Sequence, residues 1–307
     1  MLNGIKSKII LKQVFICCQG NIFLKLILYN KKLQNKIDIS IIDAITSYNT
    51  IIFEIIPISN PTNNPIHSRY KFINIHPDDS SHYRIYFDNN NEEIHRTYLT
   101  SNDAVSKIIV LLDRKVKSFK GLFKDCKYIN EVKIISCLRR NIYNTSEMFY
   151  ACTSLTKVDL SNLKTENVYD MSWMFYFCSV LEELDISNFQ TSNVTNLEYM
   201  FSWSKALKCL NLSNFDTSNV NNMESMFSYC QSLKDLNIRN LNISKVKNMK
   251  YMFEGCKSLN NLSISDFCIM DTTVTTHMFS NCRMEAKNTV YSLNKHLKSD
   301  SFRSLKL

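Results

Sequence analysis

Glycine and proline are scarce, four of each in 307 residues. So few glycines, and none clustered, leave no phosphate-cradling loop, which needs backbone that can approach an anion closely. The same scarcity argues against long flexible linkers. No Cys-x-x-Cys pair occurs among the eleven cysteines, so the short ligand spacing of a zinc site is missing and no metal or other cofactor is expected. Long apolar runs are missing too. Lys6, Lys8 and Lys12 break the opening residues, and Lys25 interrupts 22–29. A cleavable secretory peptide needs a longer unbroken stretch with a small-residue cleavage site, and a membrane helix needs about 20 apolar residues. The expectation is a cytoplasmic chain without a membrane span, with the cell surface less favoured.

The formal charge of +9 is confined to the ends. Residues 127–282 carry 14 Lys/Arg against 15 Asp/Glu, whereas residues 1–50 carry 7 against 2 and residues 283–307 carry 6 against 2. A nucleic-acid groove would need basic residues recurring along the chain's middle. No nucleic-acid partner is expected.

What the sequence does have is a period of 26 residues. Phe123, Phe149, Phe175, Phe201, Phe227, Phe253 and Phe279 obey it without slippage, each preceded by Leu122 or a methionine. Three residues after each Phe stands Cys126, Cys152, Cys178, Ser204, Cys230, Cys256 or Cys282. An apolar set follows, such as Leu181, Leu184 and Ile186, at the spacing of a short strand with one buried face. Ser-Asn and Thr-x-Asn-Val runs supply turn formers. Val168, Met171, Met174 and Phe175 lie at i, i+3, i+6 and i+7, the face of a short helix. Each coil is therefore predicted as strand, turn, short helix. A coil this small cannot bury its two flat sides alone, so the copies must stack.

The copies LEELDISNFQTSNVTNLEYMF and LKCLNLSNFDTSNVNNMESMFSYC resemble the repeat of the BspA-like leucine-rich-repeat family, over roughly residues 116–282. The resemblance implies an α/β fold, a leucine-rich-repeat-like solenoid of strand-turn-helix coils, and a non-catalytic binding scaffold. Bacterial members are cell-surface adhesins, so adhesion is an alternative function.

Four segments follow. Residues 1–50 read as a helical segment; the stretch ILKQVFICCQGNIFLKLILYNKKLQNKI resembles an F-box, which implies a second alternative, a substrate receptor for ubiquitin ligation. Residues 51–114 change to period two, with runs at 51–56, 70–75, 83–87, 94–99 and 107–112 separated by turn clusters. They predict a small β-rich capping domain. Residues 115–282 form the solenoid, and 283–307 a cap or tail.

Nothing in this pattern suggests catalysis: the six histidines are scattered, and no nucleophile sits at a recognisable elbow. The candidate site is the exposed strand face. There Lys157, Asp159, Glu182, Glu183, Asp185, Lys208, Asn211, Lys234, Asp235 and Asn237 alternate with the buried residues and vary from copy to copy. Such a face, commonly the concave one, suits a protein or peptide partner of a monomeric chain. Tyr176, Trp203 and Tyr229 form a second candidate surface or pack between coils. The ladder cysteines are expected to be reduced, buried and inert.

Overall fold

The computed structural model describes residues 50–58, 69–88, 92–113, 115–137, 140–238, 240–259, 261–262, 269–270, 272–282 and 301. The helical and F-box readings of the first 49 residues lie outside these, as does the 283–307 segment apart from Ser301.

The period-two region forms β1 (Ile51–Pro57), β2 (Tyr70–Lys71), β3 (Tyr83–Phe87), β4 (Tyr98–Leu99) and β5 (Ile108–Leu112). Alternation does the work: in β1, Ile51, Phe53 and Ile55 are buried while the residues between them are half-buried. The coils begin with β6 (Ile129–Ser136) and β7 (Lys157–Asp159), and the first sheet runs β3-β5-β1-β6-β7. β1 is antiparallel to both β5 and β6, and β6 is parallel to β7. Thus β1 covers one edge of the first coil strand. Phe53 sets its ring edge-on to Phe119 and Phe123, both at 5.5 Å. The later strands β8 (Cys209–Asn211), β9 (Asp235–Asn237) and β10 (Asn261–Leu262) pair in parallel as a second sheet.

The expected short helix is absent, which corrects the α/β reading: each coil is strand and turns, and among the described residues the helical content is a single 3-10 segment, Pro77–His82, outside the coils. The backbone shows why. Two residues per coil have positive φ. Gly121, Glu147, Trp173, Tyr199, Ser225, Tyr251 and His277 form one column; Asp125, Ala151, Phe177, Trp203, Tyr229, Gly255 and Asn281 form the other. A left-handed residue every fourth position stops an α-helix from propagating. The amides are also shared out. Those of Glu147, Phe149 and Ala151 donate to the carbonyls of Ser172, Met174 and Tyr176 in the next coil, whereas those of Met148, Tyr150 and Cys152 donate back three residues. Half the turn amides therefore join coils instead of closing a helix.

Parallel bridges run through the same face from Ser118 to Asn144, Asp170, Asn196, Asn222, Asn248 and Val274. Each non-glycine residue at positive φ costs about 1–2 kcal/mol; the inter-coil bond made at or beside each one offsets that.

Inside the stack, the Phe column is continuous. Neighbouring rings from Phe123 to Phe279 lie 5.2–5.9 Å apart and within 12° of parallel. Beside it the cysteines act as donors as well as fillers. Cys152 Sγ donates to the Phe123 carbonyl at 3.0 Å, Cys178 to Phe149 at 3.2 Å and Cys230 to Phe201 at 3.0 Å. Ser204 makes the same bond to Phe175 at 2.7 Å, which explains how a serine holds a place in the ladder. A third column, Thr165 and Thr191, is buried; each hydroxyl donates to a carbonyl of the next coil and accepts an amide from it. At the far end Phe279 N–H donates to the Ser301 carbonyl, where earlier coils use the next methionine.

Burial pushes the Cys178 and Cys230 thiols up to about 12 and holds Cys152 and Cys256 well above the ordinary value. The thiolate is the reactive form. Native protein treated with iodoacetamide at neutral pH should leave the buried ladder cysteines unlabelled by peptide mass mapping, while Cys209, which is exposed, labels readily. Fast labelling of Cys152, Cys178, Cys230 and Cys256 without denaturant would show that the stack opens.

Candidate functional site

The strand face is built by the two-residue alternation. In each coil the middle residue of the strand points inward (Val158, Leu184, Leu210, Leu236), and its neighbours point out. All ten candidate residues are accordingly solvent-facing, Asp159 half-buried and the others exposed. The recurrent Asp/Asn position also holds the turn that follows: Asp159 accepts from Ser161 N–H at 3.1 Å, Asp185 from Ser187 at 2.9 Å and Asn211 from Ser213 at 3.0 Å.

The face is not uniform. Residues 183–185 occupy the place of a strand between β7 and β8, yet no backbone hydrogen bond ties Glu183, Leu184 or Asp185 to either side. The step is bridged instead by Lys208 N–H to the Glu182 carbonyl, by the Lys208–Glu182 ion pair, and by the side chains of Asn188 and Asn214 on the turns. Here lies an open groove of about 770 Å³, reaching from Glu131 across Lys157 and Glu183 to Asn211. Its floor is the chain at Val158 and Leu184, whose side chains turn inward, and Val180, 41% exposed, adds an apolar wall.

Of the candidates, the structure brings Lys157, Glu182, Glu183, Asp185 and Asn211 into this groove. Asp159 and Lys208 flank it through ion pairs, whereas Asp235 and Asn237 on β9, and Lys234 just before it, stand one coil further and do not line it. Sequence reasoning missed Glu131 and Val180. Both carried a signal. Glu131 precedes Lys157 by one period, and Val180 is the large aliphatic residue of a column that after Tyr128 is otherwise occupied by Ser154, Ala206, Ser232 and Ser258.

Charges on the face are mostly paired between coils. Lys157 reaches Glu131 at 3.9 Å, Lys133 reaches Asp159 at 3.3 Å, and Lys208 pairs with Glu182. Hydrogen bonds from Ser187 hold the Asp185 carboxyl below its ordinary value, against the opposing charge of Asp159. Its ionised form is thus the one present at neutral pH. Nothing in the groove pairs a base with a nucleophile, and among the described residues no cluster of His, Cys, Asp and Glu could hold a metal ion.

The aromatic candidates have a different role. Tyr176 stacks on Tyr150 at 4.8 Å and Tyr229 on Trp203 at 4.4 Å, so ring faces are occupied by neighbouring coils and mainly their edges meet solvent. Among the described residues, no helix is long and apolar enough to cross a membrane.

No curated protein and no solved structure matches this chain. The model of a repeat-containing family, described as Mycoplasma protein of unknown function, DUF285, matches it twice, over residues 117–209 and 203–299. These two spans take in every bridged position from Ser118 to Val274 and more than half of the sequence, and they place the protein in the DUF285 family.

Proposed function

We propose that the protein is a non-catalytic interaction scaffold, a solenoid of BspA-like repeats that binds a polypeptide partner on its exposed strand face. One observation carries this reading. The groove falls where the strand pairing lapses, and five of the variable outward residues gather there beside the exposed Val180. Charged, variable side chains around a few apolar contacts are the composition of a protein-binding patch, and the face holds no convergent acid, base and nucleophile. The 51–114 unit serves as the cap, since β1 pairs along the edge of β6 that would otherwise stay open. An interior, reducing location accords with thiols that donate hydrogen bonds rather than pair.

The test is charge reversal on the full chain. Glu182→Lys, Glu183→Lys and Asp185→Lys together should cut partner recovery from a reducing lysate, quantified by mass spectrometry, by about tenfold or more. Equal recovery with the wild-type chain would remove the strand face from consideration.

A further inference from the structure

We propose that the groove receives an extended polypeptide segment with arginine or lysine at alternate positions, one basic side chain being held between Glu183 and Asp185. This deepens the strand-face reading and rests on it.

Charge selects the partner's chemistry. Four carboxylates line the groove, from Glu131, Glu182, Glu183 and Asp185, against one lysine, Lys157. Lys157 is already engaged with Glu131, and Lys208 with Glu182. Glu183 and Asp185 make no ion pair with any described residue, although Glu183 lies close enough to Lys208 to raise its pKa slightly further. These two carboxylates stand two residues apart on one coil, near an Asp159 that Lys133 already neutralises, so the charge left without an ion pair at the centre of the groove is theirs. A cation removes that repulsion.

Geometry selects its shape. Residues 183 and 185 are alternate positions of an extended segment and face the same way, about 7 Å apart along the chain. A guanidinium, with five donors in a planar fork, spans two carboxylates at such a separation. Beside it Val180, 41% exposed, offers apolar surface for the methylene stem. From Glu131 to Asn211 the groove crosses three inter-coil steps, about 14 Å at about 4.8 Å each, the length of four to five extended residues. A ligand lying along the stack thus presents every second side chain to the floor.

The measurement is fluorescence anisotropy of a labelled octapeptide alternating threonine and arginine, titrated with the full chain, beside a peptide carrying glutamine in place of arginine. The arginine peptide should bind saturably and the glutamine peptide about tenfold or more weaker. E183Q/D185N should weaken the arginine peptide by a similar factor, whereas E182Q, whose carboxylate is already answered by Lys208, should stay within about twofold. All three carboxylates are exposed, and matching unfolding midpoints will show that the variants remain folded. The proposal is overturned if both peptides bind alike, or if E183Q/D185N binds the arginine peptide as the wild type does. Should the triple lysine reversal release the cellular partner while E183Q/D185N keeps the arginine peptide, the strand-face reading stands and the cation-binding subsite falls.

Discussion

Phe201→Ala is expected to destabilise the protein by about 3–5 kcal/mol, as large an effect as any single truncation in the stack should have. Phe201 is fully buried and has a parallel ring on each side, Phe175 at 5.9 Å and Phe227 at 5.7 Å. Removing it strips contact from two coils at once. The cavity cannot close by sliding the coils together, because their separation is set by the backbone bonds from Phe175 N–H to Met200 and from Phe201 N–H to Met226. Phe201→Leu provides the internal comparison. It keeps most of the buried apolar volume but neither parallel ring contact, so it should cost distinctly less than alanine. Urea unfolding of the two variants separates the cases. Equal midpoints would mean that the retained volume contributes nothing, and a Phe201→Leu midpoint equal to the wild type that the parallel rings contribute nothing beyond burial.

Gly255→Ala is expected to cost roughly 2–4 kcal/mol for a single added methyl group. Two effects combine. Gly255 has φ +69°, and a Cβ built there would meet Tyr229 Cδ1 at 2.8 Å and Cε1 at 3.0 Å. The equivalent position one to four coils earlier accepts Tyr229, Trp203, Phe177 and Ala151 at similar φ, so the conformation alone does not demand glycine. What demands it is the Tyr229 ring, itself stacked on Trp203. A double-mutant cycle tests this directly. In a Tyr229→Ala background the penalty of Gly255→Ala should shrink to the left-handed strain, about 1–2 kcal/mol. A penalty that does not change would locate the cost entirely in the backbone.

Much of this architecture was legible because a strict period leaves little freedom. Once Phe123 and Phe279 stand six intervals of 26 apart, every buried column is fixed, and the alternation in 51–112 marks strands wherever it is regular. The helix reading of Val168, Met171, Met174 and Phe175 failed for a physical reason. Periodicity reports which side chains face inward, and a chain of tight turns with a left-handed residue every fourth position brings the same four inward. The usual mark of that conformation is glycine or asparagine. Here the two columns hold Trp, Tyr, Phe or Ser at half their positions, with glycine only at Gly121 and Gly255 and asparagine only at Asn281, so the scarcity of glycine concealed the turns it ordinarily announces.

The candidate site was legible to the same depth. Outward positions follow from alternation, so Glu182, Glu183 and Asp185 could be named from sequence. Their setting could not, because the lapse in pairing at 183–185 is a property of backbone partners and leaves no mark in side-chain pattern beyond the unusual Val180.

The matched hydrogen bonding of the two faces has a consequence for how these proteins scale. In a repeat whose outer side is helical, a cylinder about 10 Å wide must accompany a strand step of about 4.8 Å, and the mismatch bends the array into an arc. Here the turn side, bridged from Ser118 through Val274, advances by the same β spacing as the strand side. Each 26-residue unit therefore adds about 4.8 Å on the turn side as on the paired strands, with no helical layer to splay the coils apart. Duplicating or deleting a coil would change how far apart two epitopes can be held by about that step.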